Sequence, residues 1–204
     1  LPIRSEAIQR AHFPPADVSI SLLEKFQDPS QKRLIFEEFF LLQLALVFKK
    51  RQREIEERGK PFKTRGEIIR KFLKLLQFNL TEAQKKVLRQ IMGYLEQTEP
   101  MNLLLQGDVG SGKTVVALTA LITAVENDCQ AALMAPTELL AEQHFLSISP
   151  FCNALGINIG LVTSTGTSKE KSLIRSNIES GATQIIIGTH ALIQKKVEFS
   201  NLGL

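Results

Sequence analysis

The stretch Leu104-Leu105-Gln106-Gly107-Asp108-Val109-Gly110-Ser111-Gly112-Lys113-Thr114 decides the fold. Gly107 to Thr114 fit the pattern G-x-x-x-x-G-K-[ST]. The glycines open backbone conformations closed to residues with a Cβ, so that successive N–H groups converge on one anion. A helix opening at Lys113 would aim its unsatisfied N–H groups and the positive end of its dipole at the same point. Lys113 then reaches the β- and γ-phosphates of a nucleotide, and the Thr114 hydroxyl takes Mg²⁺. The expected cofactor is a nucleotide with magnesium. Gly107, Asp108, Val109, Gly110, Ser111, Gly112, Lys113 and Thr114 would hold it, with Lys113 and Thr114 in the catalytic roles. Hydrolysis also needs an acidic residue on the metal, usually an Asp-Glu pair ending a later strand. No such pair occurs here, and it is expected beyond Leu204, where residues 199–204 read as the lead into a strand.

On either side of the loop the pattern is that of βαβ units. Met101–Gln106 is a short apolar run, as expected of a strand covered on both faces. The helix Lys113–Glu126 follows. Ala131–Ala135, Ile157–Val162 and Gln184–Gly188 are the further strands. Between them lie helices Glu138–Asn153, capped by Thr137, and Ser168–Ser180, closed by Gly181. Strands alternating with helices imply an α/β domain with a parallel sheet, whose ligands sit at the carboxyl ends of the strands. A capping Thr81 opens a helix over 82–96, and Gln84 within it offers one donor and one acceptor, suited to the paired edge of adenine. Phe78 is placed to pack on the base. Pro136 and Thr137 follow the second strand, and Gly188, Thr189 and His190 follow the fourth. Each set offers free N–H groups and a hydroxyl to a phosphate backbone.

Upstream the pattern is helical. Residues 1–29 read as an irregular lead, with a loop at His12–Ser19. Gln31–Arg58 reads as one long helix starting at Asp28 or Ser30, apolar nearly all round in its first half. That half is expected to be sandwiched between other elements. A second helix covers 67–77.

The 204 residues are 44 % hydrophobic and 23 % charged, which excludes disordered and low-complexity classes. At roughly 150 residues per domain the length suggests one domain and a substantial extra segment. Residues 1–78 hold 16 Lys/Arg against 10 Asp/Glu, and residues 79–204 hold 9 against 11, so the excess positive charge lies wholly in the first part. Charge alone there is better explained by a solvated helix face laced with Glu54, Glu56 and Glu57 than by nucleic-acid binding. Cys129 and Cys152 match no zinc spacing and read as buried thiols of a reducing compartment. No nucleophile elbow, membrane span or secretory signal is present. Leu1-Pro2 reads as the interior of a longer chain.

The strings "FNLTEAQ" (Phe78–Gln84), "LLQGDVGSGKT" (Leu104–Thr114), "MAPTELLAEQH" (Met134–His144) and "IIIGTHALIQ" (Ile185–Gln194) resemble superfamily 2 helicases in order and spacing. Their wording is most similar to the RecG family of bacterial ATP-dependent helicases that remodel branched DNA. "LP…HFPP" at the start and "FEEFFLLQLALVFKK" (Phe36–Lys50) extend the resemblance over nearly the whole chain. The resemblance implies a partial RecA-like phosphate-loop NTPase lobe over 79–204. It implies a helical linker over 1–78, between a DNA-splitting wedge and the motor. ATP and Mg are then the cofactors, Gln84 reads adenine, and Pro136, Thr137, Gly188, Thr189 and His190 face DNA. An Asp-Glu-x-His box and a second lobe follow Leu204, and the loop's strand lacks a neighbour without them. The implied protein is a cytoplasmic monomer acting on forks and Holliday junctions in recombination and repair. The turn Leu161–Lys171 departs from the family wording. Three alternatives stay open: a double-strand translocase like the transcription-repair coupling factor, a non-catalytic nucleotide-binding module, and a metabolic phosphate-loop kinase.

Overall fold

Ile185, Ile186 and Ile187 are wholly buried, as a strand covered on both faces must be. They lie in β3 (Ile185–Gly188), the middle strand of a three-stranded parallel sheet. Its neighbours are β1 (Ala131–Met134) and β2 (Ile159–Val162), in the order β1-β3-β2. The register pairs Met134 and Val162 with Gly188, so all three strands end at one level. The computed structural model describes residues 1–56, 58–163, 168–193 and 197–204. It divides into two compact units, Leu1–Glu57 and Arg58–Leu204.

The second unit is built on the alternation of β3. Ile185 and Ile187 face the main core, with α6 (Lys113–Glu126) and α7 (Glu138–Leu155); Ile186 faces a smaller cluster with Ile178 and Leu192. Ile178 belongs to α8 (Ser168–Glu179), and Leu192 to a 3₁₀ turn, His190–Ile193. Each fully buried isoleucine contributes about 1.5–3 kcal/mol relative to exposure. Gln130 is buried at the sheet edge with every polar atom used. Its Nε2 donates to the Ile178 and Thr183 carbonyls at 2.8 Å each, and its Oε1 accepts from Asn201 N at 3.1 Å.

α4 (Glu67–Leu75) and α5 (Glu82–Leu95) complete this unit. Phe72 is wholly buried and meets Phe151 of α7 edge to face, ring centres 5.6 Å apart. The second unit begins at Arg58, and Phe62, Ile69 and Phe72 are among its core residues.

The expected strand at Met101–Gln106 does not form. Leu103 is 42 % exposed and Leu104 82 %. A strand exists only through a neighbour's hydrogen bonds, and the free edge of β1 is taken by residues 201–204. Gln130 bridges Leu202 in parallel, Gln130 N donates to Asn201 O at 2.7 Å, and Ala132 N to Leu204 O at 2.8 Å. The lead into a strand at 199–204 is thus present as this parallel edge.

In the first unit, the expected irregular lead contains α1 (Arg4–His12) and α2 (Ile20–Glu24). α1 lies along α3 (Pro29–Glu56), with Ala7 wholly buried and Glu37 in ion pairs with Arg4 at 3.3 Å and Arg33 at 3.1 Å. Asp28 begins α3, its Oδ1 accepting from Ser30 N at 2.8 Å. The sandwiched first half of α3 is corrected by exposure: Phe36, Phe39, Leu42, Leu44 and Phe48 are each more than half exposed. α1 covers a single stripe of a helix that is apolar all round.

Among the described residues no helix is long and apolar enough to cross a membrane.

Candidate nucleotide and nucleic-acid site

The loop from Gly107 to Gly112 lies open to solvent, with Val109 fully exposed. Ser111 N donates to Asp108 O at 3.2 Å, closing a tight turn. Gly110 and Gly112 take φ of +80° and +81°, the left-handed region where a Cβ is strained. Gly112 is also the capping residue of α6, with no side-chain cap bond, so the helix presents its first N–H groups without a side-chain partner. α6 is anchored behind this point by a largely buried shaft.

Lys113 folds back on the loop. Its Nζ donates to the carbonyls of Gly107 at 2.8 Å and Asp108 at 2.7 Å. The ammonium is thus held on the loop by exposed carbonyl acceptors that an anion can displace. Thr114, half-buried, follows on the first turn of α6.

Gln84 is attached to the same loop. Its Oε1 accepts from Thr81 N at 2.9 Å while Thr81 Oγ1 accepts from Gln84 N at 3.2 Å, a reciprocal capping box. Its Nε2 donates to Ser111 O at 2.9 Å. A Cβ on Gly112 would stand 2.3 Å from that nitrogen, so the loop and the glutamine are fitted to each other. Both polar ends of Gln84 are therefore engaged. The Lys85 ammonium, 2.8 Å from Glu82, holds that carboxyl below its ordinary value, keeping an anion at the head of α5. Phe78 stands half exposed in the connection from α4 to α5. Among the described residues no hydrogen bond or ring contact ties it to the loop.

The second group of expected residues meets at the carboxyl edge of the sheet. Met134 pairs with Gly188, and Ala135 N donates to Gly188 O at 2.8 Å, so Pro136–Thr137 and Thr189–His190 leave the sheet side by side. Pro136 and His190 are exposed. Thr137 caps α7, its Oγ1 accepting from Leu140 N at 3.3 Å. Gly188 is required by packing: a Cβ there would stand 2.6 Å from Val162 O and 2.9 Å from Leu192 Cγ. The structure thus joins Gln84 with the loop, and Pro136 and Thr137 with Gly188, Thr189 and His190, as two separate groups. The unusual turn at Leu161–Lys171 centres on residues 164–167, outside the described ones.

The stretch Leu80–Gln84 reads as a capping box as well as an adenine-facing motif, and Thr81 and Gln84 form that box. What the pattern T-x-x-Q does not announce is the bond from Gln84 to Ser111, 27 residues on. Glu126 and Asn127, at the far end of α6, bond to main-chain groups about 60 residues away, and no local pattern announces them.

Residues 81–204 match the DEAD/DEAH box helicase family. Over 189 residues the chain is 41 % identical to the ATP-dependent DNA helicase RecG of Aquifex aeolicus, covering 93 % of this chain and 24 % of that protein. It is 42 % identical to RecG of Thermotoga maritima, covering 98 % and 24 %. A similar match, 42 % identical, joins it to RecG of Haemophilus influenzae, covering 98 % and 29 %. The solved structure of RecG bound to a three-way DNA junction superposes with a TM-score of 0.74 at 40 % identity, covering 85 % of this chain and 24 % of that one. The chain therefore spans 24–29 % of the length of these relatives.

Proposed function

The chain belongs to the DEAD/DEAH box helicase family, and from that premise we propose that it is the nucleotide-binding part of a RecG-type DNA helicase. The full protein would couple ATP hydrolysis to branch migration at forks and Holliday junctions. The observation that carries this reading is the attachment of Gln84 to a phosphate loop at the head of a buried helix. That combination suits a motor, in which a nucleotide-dependent change at one point moves a rigid body.

The residues present fit a magnesium nucleotide. The loop is open, Gly110 and Gly112 hold its left-handed turns, and Lys113 rests on carbonyls that a phosphate can replace. Gly107 to Lys113 would hold the phosphates and Thr114 the metal. When bound, the nucleotide supplies the hydrolysis that drives strand separation. Lys113 neutralises anionic charge, α6 orients its N-terminal amides toward it, and the capping box keeps the loop in register with α5. At the sheet edge, Thr137 and Thr189 offer hydroxyls and amides to a DNA backbone without reading bases.

The test is ATP hydrolysis by the full-length protein with forked and with linear duplex DNA. Forked DNA is expected to stimulate it more, and Lys113→Ala to abolish the stimulation. Equal stimulation by both DNAs would favour a double-strand translocase. No hydrolysis with either would overturn the proposal.

A further inference from the structure

α6 begins at the phosphate loop and ends at two side chains that serve another part of the chain. Glu126 Oε1 accepts from Ile68 N at 2.7 Å and its Oε2 from Ile69 N at 3.4 Å. These are first-turn donors of α4, whose own capping residue, Gly66, makes no side-chain cap bond. A Cβ on Gly66 would stand 1.7–2.0 Å from the Glu126 carboxyl atoms, so glycine there admits the carboxylate. Asn127 grips the preceding segment in both directions. Its Oδ1 accepts from Lys63 N at 2.7 Å, and its Nδ2 donates to Lys63 O at 2.9 Å and to Thr123 O at 2.8 Å. Lys60 Nζ donates to Asn127 O at 3.0 Å.

Between its ends α6 is a stiff rod. Val116 and every residue from Leu118 to Val125 are buried. Fourteen residues at 1.5 Å each carry it about 21 Å. A close-packed shaft is hardly compressible, so a shift or tilt imposed at the loop reaches Glu126. The bonds at that end go mainly to the main chain of residues 63–69, and they fix position whatever side chains stand there.

We propose that Glu126 and Asn127 are positioning residues that pass the nucleotide state of the phosphate loop to residues 60–75, so that α4 moves with the motor. This rests on the helicase reading above. It adds to it a route by which ATP acts on the segment before the lobe.

The competing role, a plain helix cap, is separable. Glu126→Ala removes the cap and also leaves room for a side chain at position 66. Adding Gly66→Ser to it gives α4 a cap of its own without the bond to α6. In the full-length protein, Glu126→Ala is expected to lower the melting temperature. It is also expected to cut strand separation per ATP hydrolysed by roughly fivefold or more, the scale of coupling between sites. KM for ATP stays at the wild-type value. The double variant recovers the melting temperature and not the coupling. Recovery of both, or an unchanged yield per ATP in Glu126→Ala, would overturn the proposal. If the wild-type protein hydrolyses no ATP, the helicase reading fails by itself. Amide exchange at Ile68 and Ile69 with and without magnesium nucleotide then decides: slowed exchange in wild type alone supports the link, and identical exchange ends it.

Discussion

The side-chain nitrogen of Gln84 donates to the main-chain oxygen of Ser111, 27 residues downstream, at 2.9 Å. The other end of the same amide closes the capping box with Thr81. One side chain thus fixes both the start of α5 and the shape of the phosphate loop.

The two ends can be tested apart. Gln84→Glu keeps an acceptor for Thr81 N and loses the donor to Ser111, whereas Gln84→Ala loses both. The alanine variant is expected to lose about 1 kcal/mol of stability, as for other helix caps. The glutamate variant keeps most of that stability. Both weaken nucleotide binding by a similar factor, measured by fluorescent-nucleotide titration beside thermal melting. Wild-type affinity in Gln84→Glu would show that the bond to Ser111 does not shape the loop.

Lys113→Ala is expected to leave the melting temperature unchanged, because the ammonium rests only on exposed loop carbonyls. Nucleotide affinity should fall by roughly tenfold or more, matching the loss of a charged hydrogen bond of about 1.5–3 kcal/mol. Calorimetric titration reads this directly, and an unchanged affinity would remove Lys113 from the site.

How much of this was legible beforehand varied with the range of the forces involved. The bounds of α6 follow from the loop before it and the apolar run within it, and Thr81 and Thr137 announce their helices because a cap is a local bond. Met101–Gln106 reads as a strand and is not one, because strand formation depends on a partner's hydrogen bonds. Residues 201–204 take the edge of β1. The exposure of Phe39 and Leu42 also depends on what is packed nearby, which composition cannot express. The link between Asn127 and Lys63 joins a side chain to a peptide group 64 residues away and leaves no trace in the pattern.

Thr137 has two roles. Thr137→Ala removes the Oγ1 acceptor for Leu140 N and is expected to cost about 1 kcal/mol. If Thr137 also meets a DNA backbone, affinity of the full-length protein should fall equally on two unrelated duplex sequences, with the salt dependence unchanged because a neutral hydroxyl releases no counterion. Binding titrations at two salt concentrations test it. A loss confined to one sequence would contradict backbone contact.

Burial of Cys152 pushes its thiol from the ordinary 9.0 up to about 11. The folded state therefore holds the proton more tightly than the unfolded chain. The resulting stability is full below pH 9 and is lost as pH rises through about 11. Urea midpoints of wild type and Cys152→Ala should converge between those limits. Iodoacetamide at pH 8 should label Cys152 only after unfolding. Rapid labelling of the native protein would contradict the burial.

The close approach of the Glu126 carboxylate to the bare Cα of Gly66 binds the inheritance of the two positions together. A lineage that shortens residue 126 gains room for serine or aspartate at 66, and one that places a side chain at 66 must swing the flexible Glu126 carboxylate off the Ile68 and Ile69 amides. Replacing either residue alone puts this cap of α4 at stake, about 1 kcal/mol, so over descent the two positions should tend to change together.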